Sequence, residues 1–205
     1  MTSHAKHWDA KFCDELKKES DRAVAIIAAA LLEHALETLL RNHLVPCGAQ
    51  DDPLFDGPYA PLSNFSSKID LANRIGLISA RWCRDLHLIR KIRNTFAHNV
   101  SGCTYDDASV RARVLELVRS QRVLETCSKL RPGFPEGPKG DLGMTVSWML
   151  WWLWALAEDV SQLKTAPDWV PTKTDDATGT GGGGPTERVS SAVDPEQPGI
   201  PGTPY

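Results

Sequence analysis

Ten consecutive apolar residues near the start of the chain, from Ala23 to Leu32, constrain its fold more than any other feature. Polar residues return from Glu33 onward at helical spacing, and Ser20 or Asp21 ahead of the run can cap a helix. A helix that crosses a bilayer needs about twenty apolar residues. The run therefore predicts a buried central helix over residues 20–44 of a helical domain.

Helical periodicity continues along the chain to about residue 164. Caps and helix breakers divide this part into four more predicted helices, which run from Ser63 to Gly76, from Ser79 to His98, from Thr104 to about Lys129, and from Leu142 to about Lys164. The predicted fold class is all-α, with a single bundle of about five helices in a domain over residues 1–164. Residues 165–205 are rich in Gly, Pro, Thr and Ser and predict a disordered C-terminal tail.

The last predicted helix, residues 142–164, is unusually apolar. Its first sixteen residues carry no charge and include Trp148, Trp151, Trp152 and Trp154. A helix that is apolar on all sides must be covered on more than one of them. We expect it to pack over the other four helices. The alternatives are a dimer interface, where tryptophan is a common anchor, and membrane insertion, for which the apolar stretch is short.

The hexapeptide Arg93-Asn94-Thr95-Phe96-Ala97-His98, at the end of the third helix, carries groups suited to phosphate chemistry. Arginine binds phosphate through paired donors, and histidine exchanges a proton near neutral pH. On an ideal helix of 100° per residue, Arg93 lies about 140° from His98 and within the apolar face. We therefore expect one of two arrangements. Either Arg93 is buried and paired with a carboxylate, for which Glu33 is the candidate, or the helix deforms near Ala97 and brings both side chains to one cleft.

Structural roles remain open for the same residues. Arg93 and Glu33 can form a purely structural buried pair. His98 can be stabilised by the dipole at the C-terminal end of its helix. Asn94 can be a cap or a solvated residue, and Arg90 belongs to a polar, cationic stripe on the side of the helix away from the apolar face.

Further segments between Ser20 and the hexapeptide matter together with it because of their order along the chain. They are Ser20-Asp21-Arg22, Asp52-Pro53-Leu54-Phe55, Pro61 to Ile69, Gly76-Leu77-Ile78 and Ile89 to Asn94. In order and spacing these segments resemble the mannitol operon repressor family, an all-helical family, over about residues 18–130. The Arg-x4-His spacing itself resembles the signature of HEPN domains, small helical domains that include metal-independent endoribonucleases working as dimers.

The two resemblances imply different functions. The longer one implies a regulatory protein, a transcriptional or operon regulator that acts through contacts with a protein partner or as a homodimer. The HEPN resemblance implies, as the alternative, an endoribonuclease that cuts RNA without a metal. In that case His98 would move protons, Arg93 would stabilise the extra negative charge and Asn94 would orient the phosphate, with Glu33 and Arg90 in supporting roles.

Composition limits the partners. A formal net charge of −3 does not favour nucleic acid in general, so RNA binding would need a local basic patch. We find no helix-turn-helix pattern with a basic recognition helix and do not expect specific DNA binding. The five cysteines form no Cys-x-x-Cys pair, so the sequence predicts neither a metal site nor a cofactor. These scattered cysteines, and an N-terminus without a signal-peptide-like apolar run, predict a cytoplasmic protein.

Overall fold

A computed structural model describes residues 18–99, 102–126 and 128–167, so the predicted tail at 165–205 lies almost wholly outside the described residues. Secondary structure in these ranges is helical, with no strand, and the predicted all-α bundle is confirmed. The helices are α1 (Asp21–His43), α2 (Phe65–Arg74), α3 (Ala80–His98), α4 (Ala108–Gln121), α5 (Val123–Thr126) and α6 (Pro138–Asp159), with a 3₁₀ helix at Ser128–Gly133 between α5 and α6.

The helix α1 is the central element, as the apolar run predicts. Ser20 caps it by accepting a hydrogen bond from the Ala23 amide at 3.2 Å. The helix packs against α2, α3 and α6, and its contacts with α6 are the most extensive. By length and composition alone α1 could also cross a membrane, with a mean hydropathy of 1.8 over its best eighteen-residue window. Half of that window is buried within the bundle.

The starts of α2 and α3 show how local sequence sets the helix boundaries. Ser79 caps α3 by accepting from the Trp82 amide at 3.3 Å, which confirms the predicted start. The cap of α2 is Asn64, not Ser63, because the Asn64 side chain accepts from the Ser67 amide at 3.0 Å. Gly76 ends the region as predicted, and its φ of 80° suits a residue without a Cβ.

The predicted fourth helix is wrong in length. It begins at Ala108, after Asp107, and ends at Gln121, because Arg122 adopts a left-handed conformation with φ 54°. The short helix α5 follows this break. Leu124, which a continuous helix would place on the inner face, is 51% exposed, because the turn at Arg122 takes the following residues out of the helical period.

The tryptophan-rich helix α6 packs over the bundle, as predicted, and it contacts both α1 and α4. It starts at Pro138 and ends at Asp159, so the predicted range 142–164 is shifted at both ends. It runs parallel to α1: Lys139 Nζ donates to the Glu19 carbonyl at 2.7 Å near one end, and Asn42 Nδ2 donates to the Ala157 carbonyl at 2.8 Å near the other.

A buried carboxylate joins α3 to α4. The Asp85 side chain is fully buried and accepts from Gln121 Nε2 at 2.6 Å and from the Ser120 hydroxyl. Arg84, on the neighbouring position of α3, also donates to it at 2.8 Å and is half exposed. These donors come from two helices, so the position of α4 against α3 depends on the carboxylate that they share.

The first turn of α6 approaches the preceding segment so closely that only glycine fits. A Cβ at Gly140 would lie 1.8 Å from the Pro135 carbonyl oxygen. We expect Gly140→Ala to destabilise the protein by about 1–3 kcal/mol, because the backbone around Pro135 must move. Urea unfolding followed by circular dichroism measures this change. Gly133→Ala is the matched control, since a Cβ there meets nothing within 4 Å. Equal losses in the two variants would contradict the close approach.

Candidate functional site

Most of the predicted site residues line one pocket, which we call the arginine pocket. It has a volume of about 340 Å³ and lies between α1, the end of α3 and the start of α2. Arg90, Arg93 and Asn94 face it from α3, and Glu33 faces it from α1. The other lining residues are Ile26, Ala29, Ala30, Ser63, Asn64, Phe65 and Ser66. His98 is the predicted site residue that does not line it.

Neither expected arrangement of Arg93 is found, because its side chain is exposed and α3 is unbroken from Ala80 to His98. The reason is the register between α2 and α3. Asp70 contacts His87 at 2.9 Å, and in an antiparallel pair this contact places Phe65 level with Ile92. Arg93 therefore points in the apolar direction but just beyond the first residue of α2, where none of the described helices covers it.

Glu33 also has a different partner from the one predicted. Its Oε1 atom accepts from Lys68 Nζ at 2.8 Å, and Lys68 reaches Glu37 Oε2 at 2.9 Å as well. Lys68 is 4% exposed. Burial opposes its charge, but hydrogen bonds to the two glutamates outweigh burial and raise the pKa of Lys68 above its usual value. The expected Arg93–Glu33 pair is therefore wrong, and among the residues described the buried cation is Lys68.

Glu37 links Lys68 to a second set of ion pairs, which joins the end of α1 to the connection that follows it. Arg41 binds Glu37 at 2.8 Å and Asp56 at 3.1 Å, and its guanidinium lies 4.2 Å from the centre of the Phe55 ring. Burial alone would raise the pKa of Glu37, but the hydrogen bonds from Lys68 and Arg41 outweigh it and hold that pKa below its usual value of 4.5. The connection between α1 and α2 is thus fixed by charge as well as by packing.

The two arginines of the pocket are left without a carboxylate partner among the residues that the structure describes. Arg93 Nη1 donates to the Asn94 side chain at 3.0 Å, and the Nε atom of Arg90 is buried with no hydrogen-bond partner. The pocket also receives the N-terminal end of α2, where the amides of Phe65 and Ser66 precede the first intrahelical bond. Two cations and a helix N-terminus together favour an anionic ligand.

His98 lies apart from this pocket. It is exposed at the last position of α3, about 140° around the helix axis from Arg93. The end of α3 is held by other contacts: Arg113 Nη1 donates to Thr95 Oγ1 at 3.1 Å, and Arg22 donates to the Asn99 carbonyl. Within one chain, the imidazole and the Arg93 guanidinium therefore do not share a cleft.

A larger cleft of about 690 Å³ lies on another part of the bundle. It is bounded by Trp82, Trp148 and Trp152 and by the break at Arg122. Arg122 is paired there with Glu125 at 2.6 Å, and Arg81 also lines this cleft. We place the candidate site in the smaller arginine pocket, because it combines two arginines, one of them with a buried and unpartnered Nε atom, and contains four of the five predicted site residues.

Comparison with known proteins bears on the fold. No protein-family model matches the chain, and no curated protein matches it. A chain in the X-ray structure of the MtlR-HPr complex from Escherichia coli has a similar fold, with a TM-score of 0.50 and 19% sequence identity over 74% of this chain and 98% of that chain. At this identity the likeness concerns the fold alone. It gives weak support to an MtlR-like helical fold and does not bear on the HEPN motif.

The lowered pKa of Glu37 predicts how stability depends on pH. Ionised Glu37 stabilises the fold above about pH 4.5, and this contribution is lost as the pH falls through the lower folded-state pKa. Glu37→Gln should therefore cost about 1–2 kcal/mol near neutral pH and less in acid. Urea unfolding at neutral and acid pH measures both values. Glu158→Gln, at an exposed residue in no ion pair within the described ranges, is the control. A Glu37→Gln deficit that is constant with pH would contradict the ion-pair account.

Proposed function

We propose that this chain is a regulatory protein that acts through contact with a protein partner, and that the arginine pocket binds an anionic group of that partner. The observation that carries the proposal is the pair Arg90 and Arg93, which face a solvent-open pocket and have no carboxylate partner among the described residues. A guanidinium with unused donors binds carboxylate or phosphate in a forked geometry.

The shape of the pocket supports a side chain as the ligand. Ile26, Ala29 and Ala30 give it an apolar wall from α1, and the arginines with Ser63 and Ser66 give it a polar rim. Protein interfaces combine apolar contact with a few placed polar groups, and arginine is enriched in them. An aspartate, glutamate or phosphorylated side chain would meet both parts of this surface.

The structural neighbour supplies a first candidate for the partner. The MtlR chain of Escherichia coli was solved in a complex with HPr, a second protein. We therefore propose that the partner here is a protein of the HPr kind, bound by the face that carries the arginine pocket. Operon regulation, a homodimer and a cytoplasmic location remain parts of this proposal, and we propose no specific DNA contact.

An endoribonuclease is the second candidate function. The observation that favours it is the hydrogen bond between Arg93 and Asn94 at the rim of the pocket, which presents an amide and a guanidinium together. Since His98 points away from this pocket within one chain, the imidazole would have to come from a second subunit. Regulator and nuclease thus differ in whether His98 matters, and the second test below uses that difference.

The first test measures binding of Escherichia coli HPr by titration calorimetry. We expect the Arg90→Gln/Arg93→Gln variant to bind at least about tenfold more weakly than wild type, because loss of a buried charged partner at an interface costs roughly 2–5 kcal/mol. The control is Arg111→Gln/Arg119→Gln, which removes the same charge from exposed positions of α4. It should retain the wild-type affinity.

Equal weakening in both double variants would mean that net charge, and not the pocket, governs binding. Absence of HPr binding by the wild type would remove HPr as the partner. A photo-cross-linking residue at Ser66, on the rim of the pocket, then identifies the class of ligand in cells that express the chain. An adduct that ribonuclease leaves unchanged and that carries a second polypeptide supports the regulator, and an adduct that ribonuclease shortens contradicts it.

The second test addresses RNA cleavage directly. Purified wild type and His98→Ala are incubated with mixed-sequence single-stranded RNA in excess EDTA. If the regulatory proposal is correct, neither protein cuts the RNA. A nuclease would instead lose about 10²–10⁴ in rate on losing its proton-transfer residue. Metal-free cutting by wild type alone would therefore overturn the regulatory proposal and establish the second candidate.

A further inference from the structure

The hairpin of α2 and α3 brings together three side chains that the sequence does not connect. Cys83 and His87 are one turn apart on α3, so both face the same side of the helix. Asp70, on α2, lies opposite them, with its Oδ1 atom 2.9 Å from His87 Nε2. One ligand atom from each of the three residues lies within 4.8 Å of the other two.

We propose that Asp70, Cys83 and His87 bind a zinc-class divalent metal ion. A thiolate, an imidazole and a carboxylate form the mixed S, N and O donor set that zinc accepts, whereas magnesium and calcium prefer oxygen ligands. The thiolate and the carboxylate together balance the charge of a divalent ion. This inference does not depend on the function proposed for the arginine pocket.

The observed geometry is close to that of a tetrahedral zinc site. With metal–ligand bonds of 2.0–2.3 Å, the ligand atoms of such a site are about 3.3–3.7 Å apart. Asp70 and His87 would separate slightly from their 2.9 Å contact, and Cys83 would move inward from at most 4.8 Å. The Asp70 side chain is 61% exposed, so it can make this adjustment without disturbing the core.

The imidazole of His87 is only partly used by the fold. Its Nε2 atom contacts Asp70, whereas its Nδ1 atom is buried without a hydrogen-bond partner in the part of the chain that the structure describes. The side chain is 23% exposed, so the ring is held in place while its Nε2 side remains close to solvent. The Nε2 atom, which already contacts Asp70, is therefore the ligand atom that His87 offers to an ion.

Three protein ligands leave one coordination position open. In zinc proteins a fourth position of this kind is filled by water or by a donor from a bound molecule. The ion would also connect α2 to α3 near the middle of α2, and the N-terminal end of the same helix forms the arginine pocket. Metal binding would therefore stabilise the hairpin that carries both sites.

Cobalt(II) tests the proposal, because coordination by a thiolate produces a charge-transfer absorption band that oxygen and nitrogen ligands do not. The full chain, kept reduced and stripped of metal, is titrated with cobalt(II) and then with zinc. We expect one cobalt ion per chain with a thiolate band that zinc removes. Cys83→Ser should abolish the band, and His87→Gln should weaken binding by at least the 10–100-fold typical of losing an outer-shell partner.

Matched controls come from other thiols of the chain. Cys47→Ser and Cys103→Ser remove free cysteines away from the cluster and should keep the wild-type band. If Cys83→Ser fails to fold, Asp70→Asn is the second variant, since that exposed side chain can change without loss of the core. It keeps the thiol, so it should weaken cobalt binding and not remove the band at saturation. Zinc should raise the Tm of wild type and not that of the ligand variants. Absence of a thiolate band in wild type, or a band that persists in Cys83→Ser, would overturn the proposal.

Discussion

The ammonium of Lys68, buried and held between Glu33 and Glu37, fixes where α2 lies against α1. A buried cation is tolerated only with partners, because without them it would be an uncompensated buried charge. Two carboxylates on successive turns of α1 therefore fix the position of α2 along the axis of α1. That position decides which residues of α3 lie beyond the first residue of α2, and Arg93 among them lines the arginine pocket. It also places Asp70 opposite His87.

The features that follow from local pattern were predictable. The apolar run and the cap at Ser20 give α1 within a residue at each end, because an amphipathic helix and its first free amides are encoded by neighbouring residues. Arg93 shows the limit of this reasoning. Helical geometry gives the direction of a side chain around its own axis, but whether another helix covers it depends on where that helix stops, which is a property of the tertiary register.

Contacts between residues far apart in sequence account for the features of the structure that the sequence did not predict. Lys68, Asp85 and Asp70 each read as ordinary polar positions in a helical pattern, and each becomes distinctive only through partners on another helix. The break at Arg122 had no warning in the sequence either, because a left-handed turn usually takes glycine or asparagine, and arginine gives no such signal. Proposals about the site therefore rest on the assembled hairpin and not on the Arg-x4-His spacing.

The parallel packing of α1 against α6 sets the order in which the bundle can be completed. The two helices are far apart in sequence, yet they share the most extensive contact in the domain. During synthesis α1 emerges long before α6. The apolar residues of α1 that pack against α6 therefore remain exposed until α6 has been made. Folds that depend on such distant contacts form slowly, and their exposed intermediates are prone to aggregate. Until α6 has been synthesised, the central helix of the bundle therefore lacks the largest part of its cover.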